Sequence, residues 1–240
     1  MANILNVDNL NKSYNGGKSF TVRSINFQIG EGEIVGLVGK NGAGKSTIIK
    51  SITGVLPFEV GKISICGFDV VSNAIEAKKK LGYVPDVSNA YDKMTGMEYL
   101  NFVADIFGVD KSLRVSRINE FQKCFPLGDS INKLISSYSH GMKQKISLMA
   151  SLMSNPKLWI LDEPTTGLDP QTTASLLDFI TDYAKKGNAV MFSSHNLNIV
   201  EDVCSRVLFI DKGNLVKSLT KQELDASKRD LEKIFMEHVN

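Results

Sequence analysis

The hydrophobic pattern of the first quarter of the chain predicts β-strands. Residues 4–10 and 22–29 alternate apolar and polar side chains, with the period of two that half-buried strands show. Residues 34–38 are apolar throughout and lie between glycines, which favours a strand buried on both faces, as in a parallel sheet. Shorter strand patterns recur at residues 62–66, 158–161, 189–193 and 207–210.

Helical patterns separate several of these strands. One helix is predicted at residues 45–53. Another is predicted at residues 170–186, where Asp169 can act as the N-cap, Pro170 occupies the first turn and Gly187 follows the end. Strands that alternate with helices at this spacing predict an α/β fold with a mainly parallel sheet.

The stretch at residues 87–154 departs from this alternation, because it carries helix signals and no clear strand pattern. Thr95 and Glu98 have the spacing of a capping box, which predicts a helix that continues to Phe107 and ends at Gly108. We therefore predict a mostly helical subdomain inserted into the α/β core.

A second capping box, Thr220 with Glu223, predicts helices at the C-terminal end. No internal repeat or low-complexity linker divides the chain. We predict one domain with three parts: an α/β core at residues 1–86 and 155–219, the helical subdomain at 87–154, and C-terminal helices at 220–240.

The composition is that of an ordinary globular protein, with 42% hydrophobic and 22% charged residues. A net charge of +2 gives no reason to expect nucleic acid as a partner. Cys66, Cys124 and Cys204 are odd in number and far apart, which indicates neither a disulfide framework nor a zinc site and fits the cytoplasm. The sequence shows no secretory signal and no apolar run of about 18 residues, so any membrane role is expected to need a partner.

Residues 39–47 match the phosphate-binding pattern GxxxxGK[ST], between a predicted buried strand and a predicted helix. Glycines allow successive backbone N–H groups to face one point, and the helix that follows presents its positive N-terminus there. Lys45 is expected to reach the β- and γ-phosphates, and the Ser46 hydroxyl to bind Mg²⁺. The predicted nucleotide-binding residues of this loop are Gly39, Asn41, Gly42, Ala43, Gly44, Lys45, Ser46 and Thr47.

Two carboxylates, Asp162 and Glu163, follow the predicted strand at residues 158–161. A carboxylate at the end of a strand beside a phosphate loop can hold Mg²⁺, and this role suits Asp162. Glu163 can then act as the general base that polarises the attacking water. Two acids after a strand are, by themselves, more often a solvated turn; the phosphate loop favours the functional interpretation.

The order of motifs along the chain resembles the ABC ATPase family over roughly residues 4–218. These motifs are Tyr14, the phosphate loop, Ser139-His140-Gly141, the LDEP segment at residues 161–164, Gly167-Leu168-Asp169 and Ser194-His195. The resemblance implies a P-loop NTPase core whose N-terminal part is antiparallel, and ATP hydrolysis with Mg²⁺.

The resemblance also implies roles for individual residues. Tyr14 would stack on adenine, although a single tyrosine is more often half-buried packing. Ser139 and Gly141 match the family signature LSGGQ, where Tyr138, His140 and Met142 replace family residues. In the family this helix N-terminus contacts ATP bound on the other subunit. His195 would contact the γ-phosphate, although a single histidine after a strand is more often an ordinary polar residue.

Asp86 is the position where this sequence departs most from the family, which usually has glutamine there. The family's glutamine contacts Mg²⁺ and signals to the membrane partner. An aspartate can bind Mg²⁺ but is shorter and negatively charged. The alternative is that Asp86, after Pro85, is a solvated turn residue.

The resemblance implies two copies that bind head to tail around two MgATP. The pair would be a homodimer or would combine this chain with a homologous ATPase subunit. Because the chain has no spanning segment, we expect a separate integral membrane permease, of the bacterial exporter type, and a position on the cytoplasmic face of the membrane. The alternative is a soluble ABC ATPase that acts on ribosomes or nucleic acid.

Overall fold

The computed structural model describes residues 3–16, 19–86 and 91–227, together with residues 231, 233 and 236. Its strands are β1 (Asn3–Ser13), β2 (Phe20–Gly30), β3 (Ile34–Val38), β4 (Val60–Ile65), β5 (Phe68–Asp69), β6 (Leu81–Val84), β7 (Leu158–Asp162), β8 (Ala189–Ser193), β9 (Arg206–Asp211) and β10 (Asn214–Thr220). Its α-helices are α1 (Lys45–Ile52), α2 (Ala74–Lys79), α3 (Gly96–Ile106), α4 (Lys111–Cys124), α5 (His140–Leu152), α6 (Pro170–Lys185), α7 (Leu197–Val203) and α8 (Lys221–Ser227).

The larger sheet has six strands in the order β10-β9-β3-β8-β7-β6. Five of them, β6 to β9 and β3, are parallel, and β10 is added at the edge antiparallel to β9. Every residue of β3, β7 and β8 is buried. This confirms the mainly parallel sheet that the uninterrupted apolar runs predicted, because only strands covered on both faces need such runs.

The smaller sheet confirms the predicted antiparallel N-terminal part. It has four strands in the order β2-β1-β4-β5, and each neighbouring pair is antiparallel. This sheet and α1 share a hydrophobic cluster with one face of the larger sheet, to which β3 contributes Val35 and Leu37. The antiparallel sheet therefore covers that face.

The helices α3 to α6 cover the opposite face, where β3 contributes Ile34 and Val38. Between residues 91 and 154 the structure contains helices and a single isolated bridge, Thr95 with Leu134. These helices share one hydrophobic cluster with the larger sheet, since Trp159 of β7 packs with the ring of Phe179, which also meets Phe125 at the end of α4. The division of the chain into core and helical subdomain stays a prediction.

The helix ends follow the capping chemistry expected of them. Thr95 and Glu98 form a capping box at the start of α3, and the Asp169 side chain accepts the Thr172 N–H at the start of α6. Thr220 and Glu223 form the same reciprocal pair before α8. The C-terminal helices predicted beyond residue 227 lie mostly outside the described residues.

Several elements were not predicted: β5, α2, α7 and the edge strand β10. They are short, or polar on one side, and their sequence patterns are weak for that reason. β10 alternates half-buried and exposed positions and, among the described strands, pairs only with β9, so its placement depends on a partner strand rather than on its own residues.

Candidate active site

The loop between β3 and α1 lies at the carboxyl edge of the parallel strands. Gly44 has φ +111°, a left-handed conformation that glycine adopts without strain. At Gly39 a side chain would overlap the carbonyl oxygen of Ile210 in β9. The glycines that match the phosphate-binding pattern are therefore required by the backbone path of this loop and by its contact with a neighbouring strand.

Lys45, the first residue of α1, is folded back into this loop. Its Nζ donates to the carbonyl oxygen of Gly39 at 2.6 Å and to that of Lys40 at 3.3 Å. Burial lowers the pKa of Lys45, while the negative charges of Glu163 and Asp162 raise it. The ammonium group thus lies in a largely dehydrated position close to both carboxylates.

A cleft of about 300 Å³ is formed by the phosphate loop, the end of β7 and the residue that follows β6 and Pro85. It gathers predicted residues from three separate parts of the sequence. The lining residues are Thr21, Lys40, Asn41, Gly42, Gly44, Lys45, Ser46, Thr47, Asp86, Asp162 and Glu163. Thr21 and Lys40 were not predicted. The predicted residues Gly39 and Ala43 are buried in the loop and do not line the cleft.

Asp162 is held by a hydrogen bond from the neighbouring strand. It is 2% exposed, and its Oδ1 accepts from the Ser193 Oγ at 2.6 Å. The same Ser193 Oγ accepts the Glu163 backbone N–H at 3.0 Å. Ser193, which ends β8, therefore orients both acidic residues, and its signal in the sequence was its place directly before Ser194-His195.

Glu163 adopts a left-handed conformation, with φ +50°, although it is not a glycine. Residues in such sparsely populated regions cluster at functional sites, where the surrounding structure holds them. Its Oε2 lies 2.8 Å from Nδ1 of His195. His195 is largely exposed and does not line the cleft, so it reaches the site through this contact with Glu163.

Asp86 lies in the same cleft as Ser46 and Asp162. Burial, with the charges of Asp162 and Asp86, raises the pKa of nearby Tyr83 to about 12. No group of three His, Cys, Asp or Glu residues suited to a metal ion occurs among the residues that the structure describes. The oxygen donors are instead a hydroxyl and two carboxylates around one cleft, a set that suits Mg²⁺ when phosphates complete its coordination.

Tyr14 follows β1 and extends over the start of α1. Its hydroxyl lies 3.2 Å from Oγ1 of Thr47, and its side chain is 63% exposed. Tyr14 does not line the cleft, but its contact with Thr47 places it at the border. The ring is therefore available to a molecule that extends out of the cleft.

Ser139 and Gly141 lie at a different place, at the N-terminus of α5. The Ser139 Oγ accepts the Met142 N–H at 3.3 Å and caps the helix. A side chain at Gly141 would overlap the carbonyl oxygen of Gly167, and one at Gly167 would overlap the His140 ring. This helix N-terminus is thus packed against the loop at residues 165–169, and neither Ser139 nor Gly141 lines the cleft.

Comparison with known proteins gives the family. A family model described as "ABC transporter" matches residues 22–166. The chain belongs to the ABC transporter family. Its relatives in Bacillus subtilis include the linearmycin resistance ATP-binding protein LnrL, 35% identical over 92% of this chain and 70% of that protein. The ABC transporter ATP-binding protein NatA is 33% identical over 90% of this chain and 89% of that protein.

Solved structures agree with this assignment to the ABC transporter family. The structure of an ATP-binding subunit of an ABC transporter superposes with a TM-score of 0.92 and 28% identity, over 98% of both chains. A dimeric ATP-binding cassette bound to ADP and Pi superposes with a TM-score of 0.81, at 22% identity, over 90% of this chain and 98% of that one, and shows the shared fold.

The chain is therefore an ABC transporter ATP-binding subunit, with the ATP hydrolase domain of that family. In the part of the chain that the structure describes, no helix is both long and apolar enough to span a bilayer.

Proposed function

We propose that this ABC ATPase hydrolyses MgATP as a head-to-tail dimer and drives export through a separate integral membrane permease. The observation that carries the proposal is the single cleft in which Lys45, Asp162 and Glu163 meet. A cation, a buried carboxylate and a second carboxylate beside a phosphate loop are the groups that phosphoryl transfer to water requires.

The phosphates bind to the loop at residues 39–47. Its N–H groups and the N-terminus of α1 supply partial positive charge, and Lys45 supplies a full one. The carbonyl oxygens of Gly39 and Lys40 now hold the Lys45 ammonium within this loop, so that binding of the β- and γ-phosphates requires only a short movement of the side chain.

Ser46, Asp162 and Asp86 would hold Mg²⁺. When bound, the ion offsets the negative charge of the phosphates and of the two carboxylates. The Ser193 hydroxyl fixes the orientation of Asp162, which leaves its other oxygen to face the cleft. Asp86 adds a negative charge where the family has an amide. We therefore expect divalent ions to bind tightly at this site and to compete with one another for it.

Glu163 would act as the general base. Its carboxylate lines the cleft, and its contact with His195 limits its rotation. A base held in one orientation beside the γ-phosphate can align a water molecule for attack. His195 is 2.8 Å away and exposed, so it can bind the γ-phosphate and connect that group to the base.

Dimer formation would complete each site. Ser139 and Gly141 lie outside the cleft of their own chain, at an exposed helix N-terminus that favours a negative charge. ATP bound in the cleft of one copy supplies that charge to the other copy. ATP therefore favours the dimer, and hydrolysis weakens it, which is a ligand-driven shift between two states.

Export is the part of the proposal that rests on relatives. Besides the linearmycin resistance protein, the doxorubicin resistance ATP-binding protein DrrA of Mycobacterium tuberculosis is 29% identical over 91% of this chain. A methionine import ATP-binding protein from Clostridium acetobutylicum is 31% identical over 88% of this chain, so the direction needs its own experiment.

The experiment is purification of the tagged chain from membranes with its partner, followed by transport assays in inside-out and right-side-out vesicles. We expect an integral membrane protein to copurify and to stimulate MgATP hydrolysis. We also expect ATP-driven uptake of the transported solute into inside-out vesicles only. Copurification with ribosomes, or ATP-driven uptake into right-side-out vesicles, would contradict the proposal.

A further inference from the structure

A nearly buried lysine lies over the ring of Tyr14. The Lys12 side chain is only 8% exposed, and its Nζ is 5.5 Å from the centroid of the Tyr14 ring. A cation within about 6 Å of an aromatic face is attracted to the ring's negative quadrupole. Lysine is rarely buried without a partner, so this position requires an explanation.

The partner is Glu59, which lies just before β4. Its Oε1 accepts from the Lys12 Nζ at 2.8 Å, and its Oε2 accepts the backbone N–H of Ser13 at 2.7 Å. These two donors lower the pKa of Glu59, which keeps it charged. One carboxylate thus holds both the ammonium group beside the ring and the backbone immediately before Tyr14.

The Tyr14 ring is therefore held at two points. Lys12 lies over one face, and the hydroxyl contacts Thr47 of α1 at 3.2 Å. Even so, the side chain remains 63% exposed. An exposed side chain normally loses rotamer freedom when a ligand stacks on it, which weakens binding; a ring already held in place avoids most of that loss.

We propose that Lys12 and Glu59 are positioning residues that hold Tyr14 in the orientation in which the nucleotide base stacks on it. This inference rests on the proposed function, in which Tyr14 stacks on adenine. Lys12 occupies one face of the ring, so the base stacks on the opposite face. The pair acts on the base alone, because neither Lys12 nor Glu59 lines the phosphate cleft.

The alternative is that the ion pair only joins β1 to the start of β4. In that case its loss lowers stability and leaves nucleotide affinity unchanged. The two interpretations therefore differ in base-dependent affinity, which can be measured by comparing MgADP with magnesium pyrophosphate. Both ligands carry a diphosphate, and only ADP carries a base.

The experiment is calorimetric titration of both ligands into the full chain and its variants. We expect Lys12→Met to weaken MgADP binding about 3- to 10-fold and to leave pyrophosphate binding unchanged. We expect Lys12→Arg, which keeps a cation over the ring, to stay within about twofold of the wild type. Lys79→Met is the matched control, since it removes an ion pair of similar length, with Glu76, on the surface.

Three results would overturn the positioning role. One is a lower melting temperature for Lys12→Met with unchanged MgADP affinity. Another is an equal loss for ADP and pyrophosphate, which would indicate a disturbed cleft. The third is an unchanged ratio of MgADP affinity to pyrophosphate affinity in Glu59→Gln. This variant decides the question if Lys12→Met fails to fold.

Tyr14→Ala separates this inference from the proposed function. Unchanged MgADP affinity in Tyr14→Ala would show that the base does not stack on Tyr14, which contradicts that part of the proposed function. A loss of MgADP affinity in Tyr14→Ala, with none in Lys12→Met, would leave the stacking in place and overturn only the role of Lys12 and Glu59.

Discussion

The cleft at the phosphate loop and the N-terminus of α5 are both places where a helix begins after a loop, yet they are equipped differently. The cleft combines the N-terminus of α1 with two lysines, hydroxyl groups and three carboxylates. The N-terminus of α5 has its dipole, the Ser139 cap and a close contact with the loop at Gly167. The cleft has the groups for chemistry, whereas the α5 N-terminus has those for weak anion binding.

This difference explains why one chain would need a second. A helix N-terminus contributes roughly 0.3–1 kcal/mol towards an exposed anion, which is too little to hold a nucleotide. Under the proposed function it would instead contact the nucleotide held by a neighbouring copy. Variants that change only one of the two regions therefore test whether the other region depends on it.

Glu163→Gln should have the largest effect, because it removes the proposed general base from the cleft. We expect turnover to fall by about 10²- to 10⁴-fold, or roughly 3–5 kcal/mol of barrier, with ATP affinity retained. An ATP-bound dimer should then accumulate and double the mass seen by light scattering. A monomeric variant that hydrolyses ATP at the wild-type rate would show that Glu163 is not the base.

Lys45→Ala should weaken MgATP binding by about 30-fold or more, since it removes the buried cation closest to the phosphates, a loss of roughly 2 kcal/mol or more. Lys40→Ala is the matched control, because Lys40 lines the same cleft but is exposed. Calorimetry should show a much smaller change for Lys40→Ala. Equal losses in both variants would mean that general positive charge, and not the Lys45 position, binds the nucleotide.

Gly141→Ala tests the other region. The new methyl group overlaps the carbonyl oxygen of Gly167, so the α5 N-terminus must shift, at a cost of roughly 1–3 kcal/mol. We expect ATP-driven dimer formation and turnover to fall about tenfold, with MgADP affinity within about twofold of the wild type. Gly30→Ala, where a side chain has room, is the control. If MgADP binding also fell tenfold, the two regions would not be independent.

Asp86→Asn should have the smallest effect. Removing one of the three carboxylates of the cleft is expected to raise the Mg²⁺ concentration for half-maximal turnover by a few-fold, about 0.5–1 kcal/mol, because the phosphates and Asp162 still bind the ion. Asp86→Gln should raise it similarly and retain stimulation by the permease. Asp110→Asn, whose side chain makes no capping hydrogen bond in the structure, is the control. Unchanged Mg²⁺ titrations in both Asp86 variants would make Asp86 an ordinary surface residue.

The sequence predicted the parts of the fold whose signals are local. The buried strands β3, β7 and β8 were predicted because each contains four or five consecutive residues without a polar side chain, a pattern typical of strands buried on both faces. The starts of α3 and α6 were predicted because Thr95 and Asp169 satisfy helix N–H groups within their own segment. Thr21 was missed, since a threonine in an alternating strand carries no mark of the cleft it lines.

Sequence patterns alone predicted the phosphate loop, the acidic pair after β7 and the alternation of strands and helices, because each depends on neighbours within a few residues. Which distant residues these segments contact depends on the three-dimensional fold. The order β9-β3-β8-β7 places Ser193 beside Asp162, and the end of β1 places Tyr14 between Lys12 and Thr47. Such contacts join residues 31 and 33 positions apart, and no local pattern encodes which distant partner the sheet will bring alongside.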